Sequence, residues 1–161
     1  MTDDDFDAFY LAQLPALVGF LTKLGGSRED ARDCAQTAFV KAYERWAEIT
    51  APRAWIYETA RNVLYRQRTR SRRERDRTEC TIGWWTVDAV QAATDEDDGE
   101  LLAAIAALPT RQREVMSLYH VGFTPTEIAR ILAIKPEAAR GSLSCARRTL
   151  KAKFTVKGEM T

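Results

Sequence analysis

The chain has 161 residues, with 24 Lys and Arg against 23 Asp and Glu, a formal net charge of +1, and 45% hydrophobic residues. Such a length suits one domain or two very small ones, and such a hydrophobic content excludes wholesale disorder. Three scattered cysteines (Cys34, Cys80, Cys145) and a single histidine (His120) make neither a disulfide framework nor a structural zinc site. No apolar run approaches membrane-spanning length, and the N-terminus is acidic rather than signal-like, so a cytoplasmic, reduced chain with no membrane insertion is expected.

The near-zero net charge hides segregation. Asp3, Asp4, Asp5 and Asp7 crowd one end, and Asp95, Glu96, Asp97, Asp98 and Glu100 form a second acidic block. Basic residues collect at 61–77 and 140–153. Separate acidic and basic blocks imply that different surfaces meet different partners.

In chain order, residues 6–24 carry an apolar helical period, read as a helix or a helix pair interrupted at Pro15 and stopped by Gly25-Gly26. Ser27 caps the next helix, with Asp30 placed for a capping box. Along it Ala31, Cys34, Ala35, Ala38, Phe39, Ala42, Tyr43 and Trp46 share one face, while Arg32, Asp33, Gln36, Lys41 and Glu44 lie outside. Cys34 therefore reads as a small core residue, not a reactive thiol. Pro52 breaks the pattern, and a further helix follows with Trp55, Ile56, Thr59/Ala60, Val63 and Leu64 as its stripe.

That third helix ends in a cationic run: eight arginines between Arg61 and Arg77 against Glu74 and Asp76 alone. Guanidinium forks bind phosphate bidentately and displace counterions, so the run suits a polyanion, although a solvated helix end reads the same in isolation. From about Ser71 to Asp98 periodicity weakens into an acidic linker, with a short helix near Val87–Ala93 and a tryptophan pair, Trp84-Trp85. The pair suits a docking anchor for the first domain, a partner contact or a nucleic-acid stacking pair, docking being the favoured reading.

Helical periodicity resumes at Leu101 and stops at Pro109. A helix capped by Thr110 follows, with Val115, Met116, Leu118 and Tyr119 inside and Gly122 closing it. A short helix over 124–134 and a longer one starting at Pro136 then form a helix-turn-helix. The longer helix would bury Ala139, Leu143, Ala146 and Leu150, leaving Glu137, Arg140, Gly141, Ser144, Arg147, Arg148 and Lys151 outward, as a recognition helix requires. The whole reads as all-α: two small helical domains joined by a flexible acidic linker. His120, Tyr119 and Glu127 complete no acid–base or nucleophile constellation, so no catalytic residue, metal or cofactor is expected.

These residues together resemble the extracytoplasmic-function class of RNA polymerase sigma factors in the sigma-70 superfamily. The resemblance rests on Asp33-Cys34-Ala35-Gln36 with Phe39 and Tyr43, on Trp55-Ile56-Tyr57 and Ala60-Arg61-Asn62, on Leu108-Pro109 with Arg111-Gln112-Arg113-Glu114-Val115, and on Glu127-Ile128-Ala129, in the family's order and separations. It implies a region 2-like domain over 1–72, a linker over 73–97, a region 4-like helix-turn-helix domain over 98–155 and a tail over 156–161. Asp33, Gln36, Phe39 and Lys41 would bind the beta-prime clamp helices of core RNA polymerase, with the beta flap as a further contact. Glu48, Thr50, Arg53, Arg61, Asn62, Arg66, Arg68 and Arg70 would take the promoter minus-ten element as a melted strand. Lys135, Glu137, Arg140, Ser144, Arg147 and Arg148 would read the minus-thirty-five element as duplex. An anti-sigma factor is the regulatory partner implied.

Some positions depart from the family pattern: Thr37 replaces a glutamate, Arg66 an aspartate, Ala133 the turn glycine, Lys135 a capping Ser or Thr, and Gly141-Ser142 a Ser-Arg pair. The last departure implies weaker or differently specific duplex binding. A stand-alone helix-turn-helix regulator remains the alternative function. It would not need the helix centred on Gln36 or the segment 62–77. A helical protein adaptor is a third reading, and the basic terminal helix argues against it.

Overall fold

The computed structural model describes residues 2–75 and 96–159, and among them every regular element is helical. Cys80, the tryptophan pair and the short helix expected near Val87–Ala93 lie outside the described residues. Seven α-helices are present among the described residues: α1 (Asp3–Lys23), α2 (Arg28–Glu44), α3 (Pro52–Arg75), α4 (Glu96–Ala106), α5 (Thr110–His120), α6 (Pro125–Leu132) and α7 (Pro136–Glu159). One 3-10 turn, Trp46–Glu48, follows α2.

The N-terminal acidic cluster is the first turn of α1. Thr2 accepts from the Asp5 amide and the Asp5 carboxylate accepts from the Thr2 amide, closing a capping box that also holds the Asp5 carboxyl below its usual range. Pro15 does not interrupt this helix. Both Pro15 and Leu11, whose carbonyl loses its partner to the proline, are exposed, so water can satisfy the orphaned group. At the far end the Gly26 amide bonds the Leu21 carbonyl and the Gly25 amide the Thr22 carbonyl, a Schellman closure with Gly25 at φ 98°.

Ser27 caps α2 through the Asp30 amide, but the Asp30 carboxylate does not return the bond. It accepts from Gln67 of α3, whose carbonyl oxygen accepts from the Cys34 thiol at 2.9 Å. The small residues Ala31, Cys34, Ala35, Ala38 and Ala42 are buried as expected and let α2 lie close against both α1 and α3. Tyr43 is not inside: it is 51% exposed, at the edge of an aromatic cluster in which Phe6 meets Tyr43, Phe39 and Trp46. Along α3, Ile56, Tyr57, Ala60 and Leu64 are buried.

In the second half, α5 and α6 both pack on α7, and α4 packs on α5. The expected Thr110 cap is not formed: α5 starts at Thr110 behind Pro109, whose fixed φ begins the helix without a side-chain bond. Tyr119 is also turned outward, under the guanidinium of Arg147. The two halves share one apolar cluster, because α3 touches α6 and α1 touches α4 and α5.

Burial pushes the Cys34 thiol up to about 11, leaving about one part in a thousand as thiolate at pH 8. Peptide mapping after a thiol reagent at pH 8 should show Cys145, which is exposed, modified rapidly and Cys34 protected until the chain unfolds. Equal labelling would contradict the packing of α2 on α3.

Candidate nucleic-acid interface

The outer face of α2 presents Asp33, Gln36 and Lys41, all exposed, with Gln36 donating to the Tyr10 hydroxyl at 2.7 Å. Phe39 does not belong to that face. It is 2% exposed and packs edge-on against Phe6, Phe9 and Tyr10, so it can shape a docking surface but not touch a partner. The sequence pattern did not single out Val40, which is 58% exposed. Gln36, Val40 and Tyr43 fall at i, i+4 and i+7, and this spacing is the available signal for a second, outward stripe.

The loop between α2 and α3 and the basic half of α3 form two concavities. The first, about 240 Å³, is bordered by Glu48, Ile49, Thr50, Trp55 and Glu58, and across it by Arg130 and Ile131 of α6. Glu48 and Thr50 are exposed at its rim, with Glu48 paired to Arg45 at 3.1 Å. The second, about 600 Å³, is a groove lined by Asn62, Tyr65, Arg66, Thr69 and Arg70. Asn62, Arg66 and Arg70 are exposed there, and Tyr65 adds an aromatic wall that the charge pattern alone does not reveal.

The remaining expected strand contacts are engaged within the protein. Arg68 donates to the Leu24 carbonyl at the end of α1. Arg53 donates to the Val121 carbonyl and stacks over Phe123, with its guanidinium 4.2 Å from the ring centroid. Arg61 donates through Nε and Nη2 to Glu114 Oε2 at 3.2 and 3.0 Å, while the Tyr65 hydroxyl donates to Oε1 at 2.9 Å. Arg111 adds a longer bond to Glu114 at 3.3 Å. With Glu114 3% and Arg61 17% exposed, this is a buried pair, and removing one partner of such a pair costs about 3–5 kcal/mol. Burial first, then the Glu114 charge, pushes the Tyr65 hydroxyl up to about 12.

The helix-turn-helix is built by local backbone chemistry. Thr124 and Glu127 form a reciprocal capping box at the start of α6, and the Thr124 amide holds the Glu127 carboxyl below its usual range. At the other end Ala133 adopts φ 54°, ψ 46°, so that its amide bonds the Arg130 carbonyl and the Ile134 amide the Ala129 carbonyl. An alanine thus makes the left-handed closure expected of glycine. Ala139, Leu143, Ala146 and Leu150 of α7 are buried, and Lys135, Glu137, Arg140, Ser144, Arg147 and Arg148 are all exposed.

Residues 9–74 match the family model for Sigma-70 region 2, and residues 98–150 match that for Sigma-70, region 4. The chain belongs to the sigma-70 family. Among the described residues no group of three or more His, Cys, Asp or Glu is placed to hold a metal. No described helix is long and apolar enough to cross a membrane. A probable RNA polymerase sigma factor, RfaY, from Xanthomonas campestris pv. campestris is 31% identical over 133 residues, covering 75% of this chain. The chain spans about a third (33%) of that relative's length.

Two solved structures share the fold at 23% identity. One is the sigma factor RpoE, co-crystallised with the anti-sigma factor NepR from Bartonella quintana, with a TM-score of 0.77 over 94% of this chain and 98% of that one. The other is CnrH in complex with the cytosolic domain of CnrY, with a TM-score of 0.68 over 96% of this chain and 90% of that one.

Left-handed backbone costs an L-residue about 1–2 kcal/mol, so Ala133→Gly should relieve strain in the turn of the region 4 domain. The greater unfolded-state freedom of glycine offsets part of the gain, leaving about 0.5–1 kcal/mol. Thermal unfolding followed by circular dichroism should show a raised Tm, and a lowered Tm would count against the turn geometry.

Proposed function

We propose that this chain is an RNA polymerase sigma factor of the extracytoplasmic-function class, acting in the cytoplasm. It would bind core polymerase, recognise a promoter and open its strands for initiation. The observation that carries this reading is the pairing, in one chain and in family order, of region 2 and region 4. A stand-alone regulator has no use for region 2.

Within it, Asp33, Gln36 and Lys41 would meet the beta-prime clamp helices, with Val40 adding apolar area at the centre of that face. The region 4 domain would meet the beta flap. The groove bearing Asn62, Arg66 and Arg70 would follow the minus-ten strand, and Tyr65 would offer its ring to a base once the Arg61 guanidinium, 4.8 Å from the ring centroid, moves away. The cavity rimmed by Glu48 and Thr50 would receive a base withdrawn from the stack. Arg53 and Arg61 would join that surface once released from Val121 and Glu114. Helix α7 would enter the major groove of the minus-thirty-five element through Lys135, Glu137, Arg140 and Ser144, and Arg147 and Arg148 would hold phosphate. An anti-sigma partner is supported by the RpoE chain of similar fold, which was solved with NepR.

Purified protein and core polymerase, each alone and together, should be tested on genomic fragments in transcription assays. Discrete start sites that need both components are the expected result. Tight duplex binding with no effect on core would replace this reading with a stand-alone regulator. A narrower test concerns α7, where the exposed Gly141 faces open space and its neighbour Ser142 is half-buried. Ser142→Arg should tighten binding to a short duplex and steepen log K against log salt by about 0.9 for the one added phosphate contact. An unchanged slope would move the phosphate-facing register of α7 elsewhere.

A further inference from the structure

The residues that region 2 would turn toward the minus-ten strand are the residues by which it holds region 4. Arg61 cannot fork a phosphate while both its Nε and Nη2 donate to Glu114. Arg53 is committed to the Val121 carbonyl and the Phe123 ring. The loop cavity suited to an unstacked base is walled on one side by Arg130 and Ile131 of the helix-turn-helix. Three separate parts of one DNA-facing surface are therefore occupied by α5, α6 and the turn between them.

The geometry of that turn is specific. Gly122, at φ 102°, lets the Phe123 amide bond the Leu118 carbonyl and the Gly122 amide the Tyr119 carbonyl, a Schellman closure like those at Gly25 and Ala133. This sends the Phe123 ring toward Tyr57 of α3, at 5.1 Å and 80°. Tyr57 in turn stacks edge-on with Phe20 of α1. The contact is thus an apolar anchor (Phe123 on Tyr57) flanked by a buried ionic one (Glu114 with Arg61 and Tyr65).

We propose that Glu114 latches an intramolecular closed state in which region 4 masks the strand-binding surface of region 2, so that the chain is autoinhibited without any second protein. The proposal rests on the reading of Arg53 and Arg61 as strand contacts given above. In the closed state Glu114 stands where a phosphate would stand. Opening exchanges one anion for another on the same guanidinium, and apparent affinity for single-stranded DNA falls by the fraction of chains that are open.

Two variants in the full chain test this from opposite ends of the contact. Glu114→Gln keeps the shape of the latch and removes its charge. Arg130→Glu, at an exposed position, sets a carboxylate across the loop cavity from Glu48 and Glu58. Each would be compared with the parent chain by small-angle scattering and by binding of a fluorescent pool of short random-sequence single-stranded DNA, with circular dichroism as the check on folding. The expected result is a larger radius of gyration and at least about fivefold tighter single-strand binding in both. If Glu114→Gln does not fold, Arg130→Glu decides alone.

Unchanged radius and affinity in folded variants would overturn the latch, whatever their activity with core polymerase. A larger radius with unchanged affinity would also overturn it, because the masked surface would then not be the strand-binding one. Core-dependent initiation by the same preparations tests the sigma reading independently. A parent and opened variants that all fail there would sink that reading while the scattering result still reports on the closed state.

Discussion

A carboxylate buried as deeply as that of Glu114 must be neutralised where it lies, and nothing within its own half of the chain does so fully. Arg111, one turn earlier on α5, reaches it at 3.3 Å but remains half in water. The remaining bonds come from Arg61 and Tyr65 on α3. Because desolvation of a lone charge costs several kcal/mol, the orientation of α5 on α3 follows from this pairing. The Phe123–Tyr57 contact, the Arg53 bond to Val121 and the approach of α6 to the loop after α2 then fall into place around it.

The same constraint explains how two small helical units manage with modest cores. Region 2 has an aromatic cluster at one end of α1 and α2 and a narrow alanine-rich seam between α2 and α3. Region 4 relies on short helices around α7. Units of this size bury too small a share of their surface to be comfortably stable alone. Sharing one apolar cluster across the domain contact adds Tyr57 and Phe123 to both sides. The ionic latch adds specificity of placement more than net stability, since the gain from pairing is set largely against desolvation.

Periodicity is a good guide wherever a helix has one buried stripe. The small-residue face of α2 and the buried positions of α7 are legible, because an i, i+3, i+4 pattern of apolar residues has few other solutions. It fails where an aromatic is long enough to sit at a boundary: Tyr43 and Tyr119 lie on apolar registers but keep their rings at the surface, and Trp46 has left the helix for the 3-10 turn. Pro15 misleads for the opposite reason, since a proline on the solvent side costs a helix less than one facing the core. The family motif groups Phe39 with its polar neighbours, although spacing alone places it inside. The pairing of Arg61 with Glu114 spans 53 positions and has no local signature, so the cationic run marks Arg61 and the family motif includes Glu114 without anything joining the two. The segment 62–70 shows its cations but not the aromatic wall that Tyr65 gives the groove.

Guanidinium stays charged at every physiological pH, so a latch built on Arg61 has no protonation switch on the cationic side. Tyr65 offers none either, with its hydroxyl pushed up to about 12. A closed state of this kind yields to competition. The competitor must be an anion that offers Arg61 bonds as good as those from Glu114 and also replaces the stacking lost by Phe123 and Tyr57. A single-stranded nucleic acid has both properties, phosphates for the guanidinium and bases for aromatic faces. Salt does not act equally on the two sides of that exchange. Counterion release makes phosphate capture steeply salt-dependent, whereas the buried pair is poorly screened. The closed form of the chain is therefore the one that a rise in ionic strength favours, and the polyanion has to win by the number of its contacts.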